Sequence, residues 1–105
     1  MKAEYNADKN FLVVELSGEI DHTTAGDISA EVDNEIMKYK PLSLKLDFAN
    51  VTFADSSAIA VVIGRSRTMK IHGGEERIII TNASPTIMKI FSFSGLERFT
   101  ERETK

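Results

Sequence analysis

Asp55-Ser56-Ser57 sets one carboxylate and two hydroxyls in a row where the chain changes from strand to helix. Before them, Leu42 to Phe48 is apolar at even positions and polar at odd ones, the pattern of a half-buried strand. After them, Ala58 to Ile63 is apolar at helix-forming positions. A helix start carries unpaired N–H groups and a partial positive charge, so it suits a capping oxygen or a phosphate. Asp and Ser are common before helices for the first reason alone. One cap needs only one side chain, however, and a surplus hydroxyl is then open to solvent or to a partner.

Two neighbouring features bear on those serines. Ala58 to Ile63 is apolar on every side of the helix, not along one stripe. Ile59, Val62 and Ile63 are expected to fill the core side, which turns Ala60 and Val61 outward near the serines. Either another helix covers them or they form a small docking patch beside a modifiable serine. The second feature is Glu19-Ile20-Asp21-His22-Thr23-Thr24, which ends one strand and starts a helix. If the two strands are neighbours, this loop lies near Ser57; read by itself, it is a capped loop with solvated charges.

Other chemistries are poorly served. Ser57, His22 and Asp21 or Asp55 contain the residue types of a hydrolase triad, but no glycines flank the serine as in G-x-S-x-G. There is no cysteine, no set of metal ligands at recognised spacing and no phosphate-cradling G-x-x-x-x-G-K-S/T. No catalytic residue, metal or cofactor is therefore expected. The net charge of −3 is spread with both signs interspersed, without the basic patch that nucleic acid demands. No apolar run approaches the roughly 20 residues of a membrane span. The amino terminus turns polar at once, without a signal-peptide core. With 105 residues, the expectation is one soluble, cytoplasmic domain over 1–105, with direct contact to neither nucleic acid nor membrane.

The elements that must position these residues follow from periodicity. An edge strand is predicted over Lys2 to Asn6, a turn at Asp8-Lys9-Asn10, and a strand over Phe11 to Ser17 with Leu12, Val14 and Leu16 on one face. Gly18 to Asp21 should lead out of it. Thr23 or Thr24 is the expected cap of a helix reaching Tyr39, with Asp27 completing a capping box after Thr24. Pro41 ends that helix. The Leu42–Phe48 strand keeps one wet side, so it is not covered by helices on both faces. A second helix should run from Ser56 or Ser57 to Ile71, with Gly64 marking close packing. Arg77 to Thr81 forms a short strand. Ser84-Pro85 starts a third helix, lined by Ile87, Ile90 and Phe91 and stopped by Gly95. Leu96 to Thr100 adds a short last element, and Glu101 to Lys105 is expected to fray. The order β-β-α-β-α-β-α predicts an α/β fold.

Three motifs in this order and spacing resemble the STAS domain, most closely the small bacterial anti-sigma factor antagonists. They are Leu16 to Ala25, Leu46 to Ser57, and Ser84-Pro85 followed by Ile90 to Leu96, and the similarity covers nearly the whole chain. The resemblance implies a mixed sheet of four or five strands with helices mainly on one face. It implies a monomer that binds an anti-sigma factor with serine kinase activity and so frees a sigma factor. It implies that phosphorylation of Ser57 ends the contact and that a serine phosphatase resets it. Asp21 falls at the implied partner surface, and His22, Thr23, Asp55, Ser56, Ala58, Ala60 and Val61 are the other expected contact residues. The family's glycine after the acceptor is Ala58 here, whose methyl group is set against an approaching kinase loop. A scaffold or sensor subunit of a larger STAS assembly is the alternative. A nucleotide- or lipid-binding module and a hydrolase rank below it.

Overall fold

The computed structural model describes residues 1–103. The chain runs β1 (Lys2–Asn6), β2 (Phe11–Ile20), α1 (Ala25–Tyr39), β3 (Ser43–Ala54), α2 (Ser57–Ile71), β4 (Ile78–Thr81) and α3 (Pro85–Phe93). A 3-10 turn at Leu96–Arg98 and a short β5 (Thr100–Arg102) follow. The strands form a single sheet in the order β1-β2-β3-β4-β5. β1 is antiparallel to β2, and all other neighbours are parallel.

Alternation decides which way the sheet faces. Leu12, Val14 and Leu16 of β2 and Leu44, Leu46 and Phe48 of β3 are buried, whereas Phe11, Val13, Lys45 and Asp47 between them are only half-buried. The buried set packs in one core with Val32 and Ile36 of α1, Ala58, Val61, Val62 and Met69 of α2, and Ile87 and Phe91 of α3. Phe48 meets Phe91 edge to face at 5.6 Å between ring centres. The helices therefore share one face of the sheet, and the other face is wet, as the polar odd positions of Leu42 to Phe48 predict. On that face Lys45 pairs with Glu103 at 2.8 Å and lies 5.7 Å from the centre of the Phe11 ring.

Both long strands outrun their predicted lengths. β2 continues through Gly18 to Ile20, and β3 continues from Ala49 to Ala54, so the expected loop after Phe48 is strand. The two extensions pair with each other through two register shifts. Irregular pairing erases the strict alternation on which sequence reading depends. The carboxyl end also differs: Glu101 and Arg102, expected to fray, pair with Ile79 and Ile80. Thr104 and Lys105 of that expectation lie outside the described residues.

Helix ends differ in instructive ways. Ser84 caps α3 as predicted, its hydroxyl accepting from the Ile87 N–H at 3.2 Å. The expected box of Thr24 with Asp27 is not formed: α1 starts without a side-chain cap bond, and Thr24 instead makes a reciprocal pair with Asp21 in the turn before it. Gly64 has open space where a Cβ would stand, so close packing is not its reason. The tight glycine is Gly74, where a Cβ would lie 2.6 Å from the Pro41 carbonyl oxygen and 2.7 Å from Met69 Cε.

Candidate functional site

The last paired residues of β2 and β3 are Ile20 and Ala54. The Asp55 N–H donates to the Ile20 carbonyl at 3.1 Å, so the two chains leave the sheet side by side. Asp21 and Asp55 are the next residue on each, one leading into α1 and the other into α2. The neighbouring of the Glu19–Thr24 loop and the Asp55–Ser57 turn, conditional in the sequence, is thus present in the fold.

At the start of α2 the capping work falls to Asp55. Its Oδ1 accepts from the Ser57 N–H at 2.7 Å, and its carbonyl accepts from the Ala58 N–H at 3.1 Å. Ser56 occupies the cap position without a side-chain cap bond and is exposed. The helix start thus takes the Ser57 N–H and asks nothing of the Ser57 hydroxyl. Ser57 is half-buried, in the first turn, where the helix dipole favours an anion.

The Asp21 turn is more heavily bonded. Asp21 Oδ1 accepts from the Thr23 hydroxyl at 2.6 Å, the Thr23 N–H at 2.9 Å and the Thr24 N–H at 3.1 Å. The Thr24 hydroxyl accepts from the Asp21 N–H at 3.0 Å and donates to the Glu19 carbonyl at 2.9 Å. These bonds favour the ionised carboxyl, the Thr23 hydroxyl foremost, and hold it below its ordinary value of 3.8. Asp21 is consequently a fixed negative charge in a fixed orientation. Of the two expected caps, Thr23 and Thr24, Thr24 holds the cap position of α1, but its hydroxyl makes no cap bond and instead locks Asp21, a role that the short D-x-x-T spacing could have signalled.

The expected contact residues divide by burial. Asp21 and Asp55 are half-exposed, and His22, Thr23, Ser56 and Ala60 are exposed. Ala58 and Val61 are not: they are 0% and 1% exposed, within the core. Val61 points inward because α2 is covered on more than one side, by the sheet and by α1. The Ala58 methyl group packs beneath the surface, in the core, and is not presented to solvent. Glu19 and Phe53, which lie within the motifs but were not among the expected contact residues, are both exposed at this same end.

Depressions of about 640 Å³ beside the β1–β2 hairpin and about 280 Å³ near Asn82 include none of Asp21, Asp55 and Ser57. Small-molecule sites are usually concave, so this surface suits a macromolecule better. Among the described residues no cluster of three metal-ligating side chains occurs, and no helix is long and apolar enough to cross a membrane.

Known proteins carry the same plan. A family model described as the STAS domain matches residues 2–104. The anti-sigma F factor antagonist of Lysinibacillus sphaericus is 35% identical over 81% of this chain and 71% of its own. A solved structure of the anti-sigma factor antagonist SpoIIAA in its unphosphorylated form is 31% identical, with a TM-score of 0.76 over 99% of this chain and 88% of that one. The Bacillus cell fate determinant SpoIIAA in its phosphorylated form is also 31% identical, with a TM-score of 0.68 over 99% of this chain and 91% of that one. Matched along nearly its whole length by the family model and by these folds, the chain belongs to the STAS domain family.

Proposed function

We propose that this chain is an anti-sigma factor antagonist switched by phosphorylation of Ser57. The unphosphorylated form binds an anti-sigma factor that is also a serine kinase, and the sigma factor is released. The kinase phosphorylates Ser57 and ends the contact, and a serine phosphatase restores it. The protein acts by binding and catalyses nothing. Its relative SpoIIAA has been solved in both phosphorylated and unphosphorylated forms, which supports a covalent switch here.

One observation carries the reading: Asp55 caps α2 through the Ser57 N–H, so the Ser57 hydroxyl is spare at the helix start. A phosphate there adds about −1.5 to −2 charge. The helix dipole tolerates it, so the fold need not rearrange. The change is felt outside. Asp21 and Asp55 flank the site, and a partner that accepts two carboxylates meets a third, bulkier and more negative group. Like charges juxtaposed in an interface cost several kcal/mol. A loss of only ~3 kcal/mol weakens binding roughly a hundredfold.

The test is to incubate the protein with its cognate kinase and ATP and locate the phosphate by mass spectrometry. Phosphate on Ser57 is expected; phosphate on Ser56 alone, or on neither, overturns the assignment. Ser57→Ala should bind the anti-sigma factor like the unmodified protein and resist inactivation. Ser57→Asp should bind at least tenfold more weakly by calorimetry.

A further inference from the structure

Phe53 is a large aromatic side chain left 53% exposed four residues before Ser57. Among the described residues, the other exposed large hydrophobic side chains are Met1, Met37, Leu42 and Ile71. Met37, Leu42 and Ile71 lie near the carboxyl ends of α1 and α2 or the start of β3, the opposite end of the molecule from the α2 amino terminus. Phe53 is the aromatic among them, and it adjoins the Asp55–Ser57 turn.

Its exposure is built by the backbone. Gly18 pairs with Val51 and Glu19 with Phe53, so one step on β2 is matched by two on β3, and Thr52 is the extra residue. Val51 packs against the core. Unbroken alternation would turn Phe53 to the same side as Val51. The bulge instead places the small Ala54 in the core, at 8% exposed, and turns Phe53 out. Bulges commonly re-aim a side chain in this way beside functional sites. The arrangement leaves in water the larger of two apolar side chains, which burial alone would not select.

The surroundings say what would cover it. Exposed Glu19 is its register partner across the strands, and Asp21 and Asp55 follow on the two emerging chains. Neither Glu19 to Thr24 nor Ala49 to Ser57 contains a lysine or an arginine. An aromatic centre with a one-sign rim has the character of an interface hot spot surrounded by charges that set orientation and partner choice. Resting on the antagonist reading above, we propose that Phe53 is the apolar anchor of that interface. It inserts into an apolar pocket of the anti-sigma factor whose rim carries arginine or lysine. Ser57 thus controls a contact whose adhesion comes largely from Phe53.

Calorimetry of the purified chain against its cognate anti-sigma factor tests this. Phe53→Ala should raise Kd at least tenfold with the melting temperature unchanged, Phe53→Leu should retain most of the affinity, and Ile71→Ala should bind like the parent. Glu19→Lys should weaken binding several-fold, more at low salt than at high salt. Parent-like affinity of Phe53→Ala, or equal losses in Phe53→Ala and Ile71→Ala, overturns the anchor and leaves the antagonist reading standing. Failure of the unsubstituted chain to bind overturns both.

Discussion

Asp21 shows how a single carboxylate is fixed by its own turn. Three hydrogen bonds orient it, and the same bonds hold it ionised. The sign of the pH effect follows. Its folded-state pKa lies below the ordinary 3.8, so its contribution to stability is present above that value and is lost as pH falls through the lower one. A carbon-detected NMR titration should give Asp21 a midpoint below 3.8. A midpoint at or above it would mean that the Thr23 and Thr24 bonds do not persist in solution. At neutral pH the charge is constant, so any switching at this surface must come from elsewhere; in the proposed function it comes from Ser57. Asp21 and Ser57 became candidates through the resemblance to the family's motifs, because residue types alone favoured a capped loop and a capped helix start. That Asp55 rather than a serine caps α2 was not legible, because three capping residues in a row satisfy the same pattern and only geometry chooses among them.

At the scale of elements, the packing around α2 corrects the reading of Gly64 as a mark of close packing. Gly64 sits in mid-helix with open space around its Cα, so Gly64→Ala should stabilise the protein by about 0.5–1 kcal/mol through helix propensity. Gly74→Ala should destabilise it by about 1–3 kcal/mol, since the new methyl group overlaps the Pro41 carbonyl. Urea denaturation separates the two; equal effects would contradict the packing. The α1–α2 contact holds a further test. Arg65 of α2 is 7% exposed, and its Nε lies 2.7 Å from Asp33 Oδ1 of α1 without the alignment of a hydrogen bond. Its Nη2 donates to Asp33 Oδ2 at 3.3 Å, and its Nη1 is buried without a partner among the described residues. Burial pulls the guanidinium below its ordinary pKa, and Asp33 offsets this in part. Asp33→Ala leaves a buried charge uncompensated and should cost about 3 kcal/mol. Replacing both residues by apolar ones of similar size should cost less than that single change. A double variant less stable than Asp33→Ala would show the ion pair to be a net stabiliser.

For the whole molecule, the sheet sets the core apart from the Ser57 end. The core lies between one sheet face and three helices, whereas the Ser57 surface lies at the end where β2 and β3 deliver Asp21 and Asp55. Phosphorylation at that end should therefore alter binding without altering the fold. Hydrogen exchange of the phosphorylated and unmodified proteins should differ around Asp21 and the first turn of α2 and agree in β4 and α3. The melting temperatures should agree within a few degrees. Changed protection throughout the sheet would point instead to a rearrangement of the whole domain.

What the amino-acid order determined by itself was local. Alternation in Leu12 to Leu16 and Leu42 to Phe48 specified strands with one dry side, and Ser84-Pro85 specified a helix start, because each is enforced between residues a few positions apart. Tertiary structure alone decided that β2 and β3 extend to Ile20 and Ala54, that Val61 is covered, and that Phe53 is turned out by the extra residue Thr52. Those outcomes depend on which strand or helix lies alongside, and contacts between distant segments leave no periodic trace in either one.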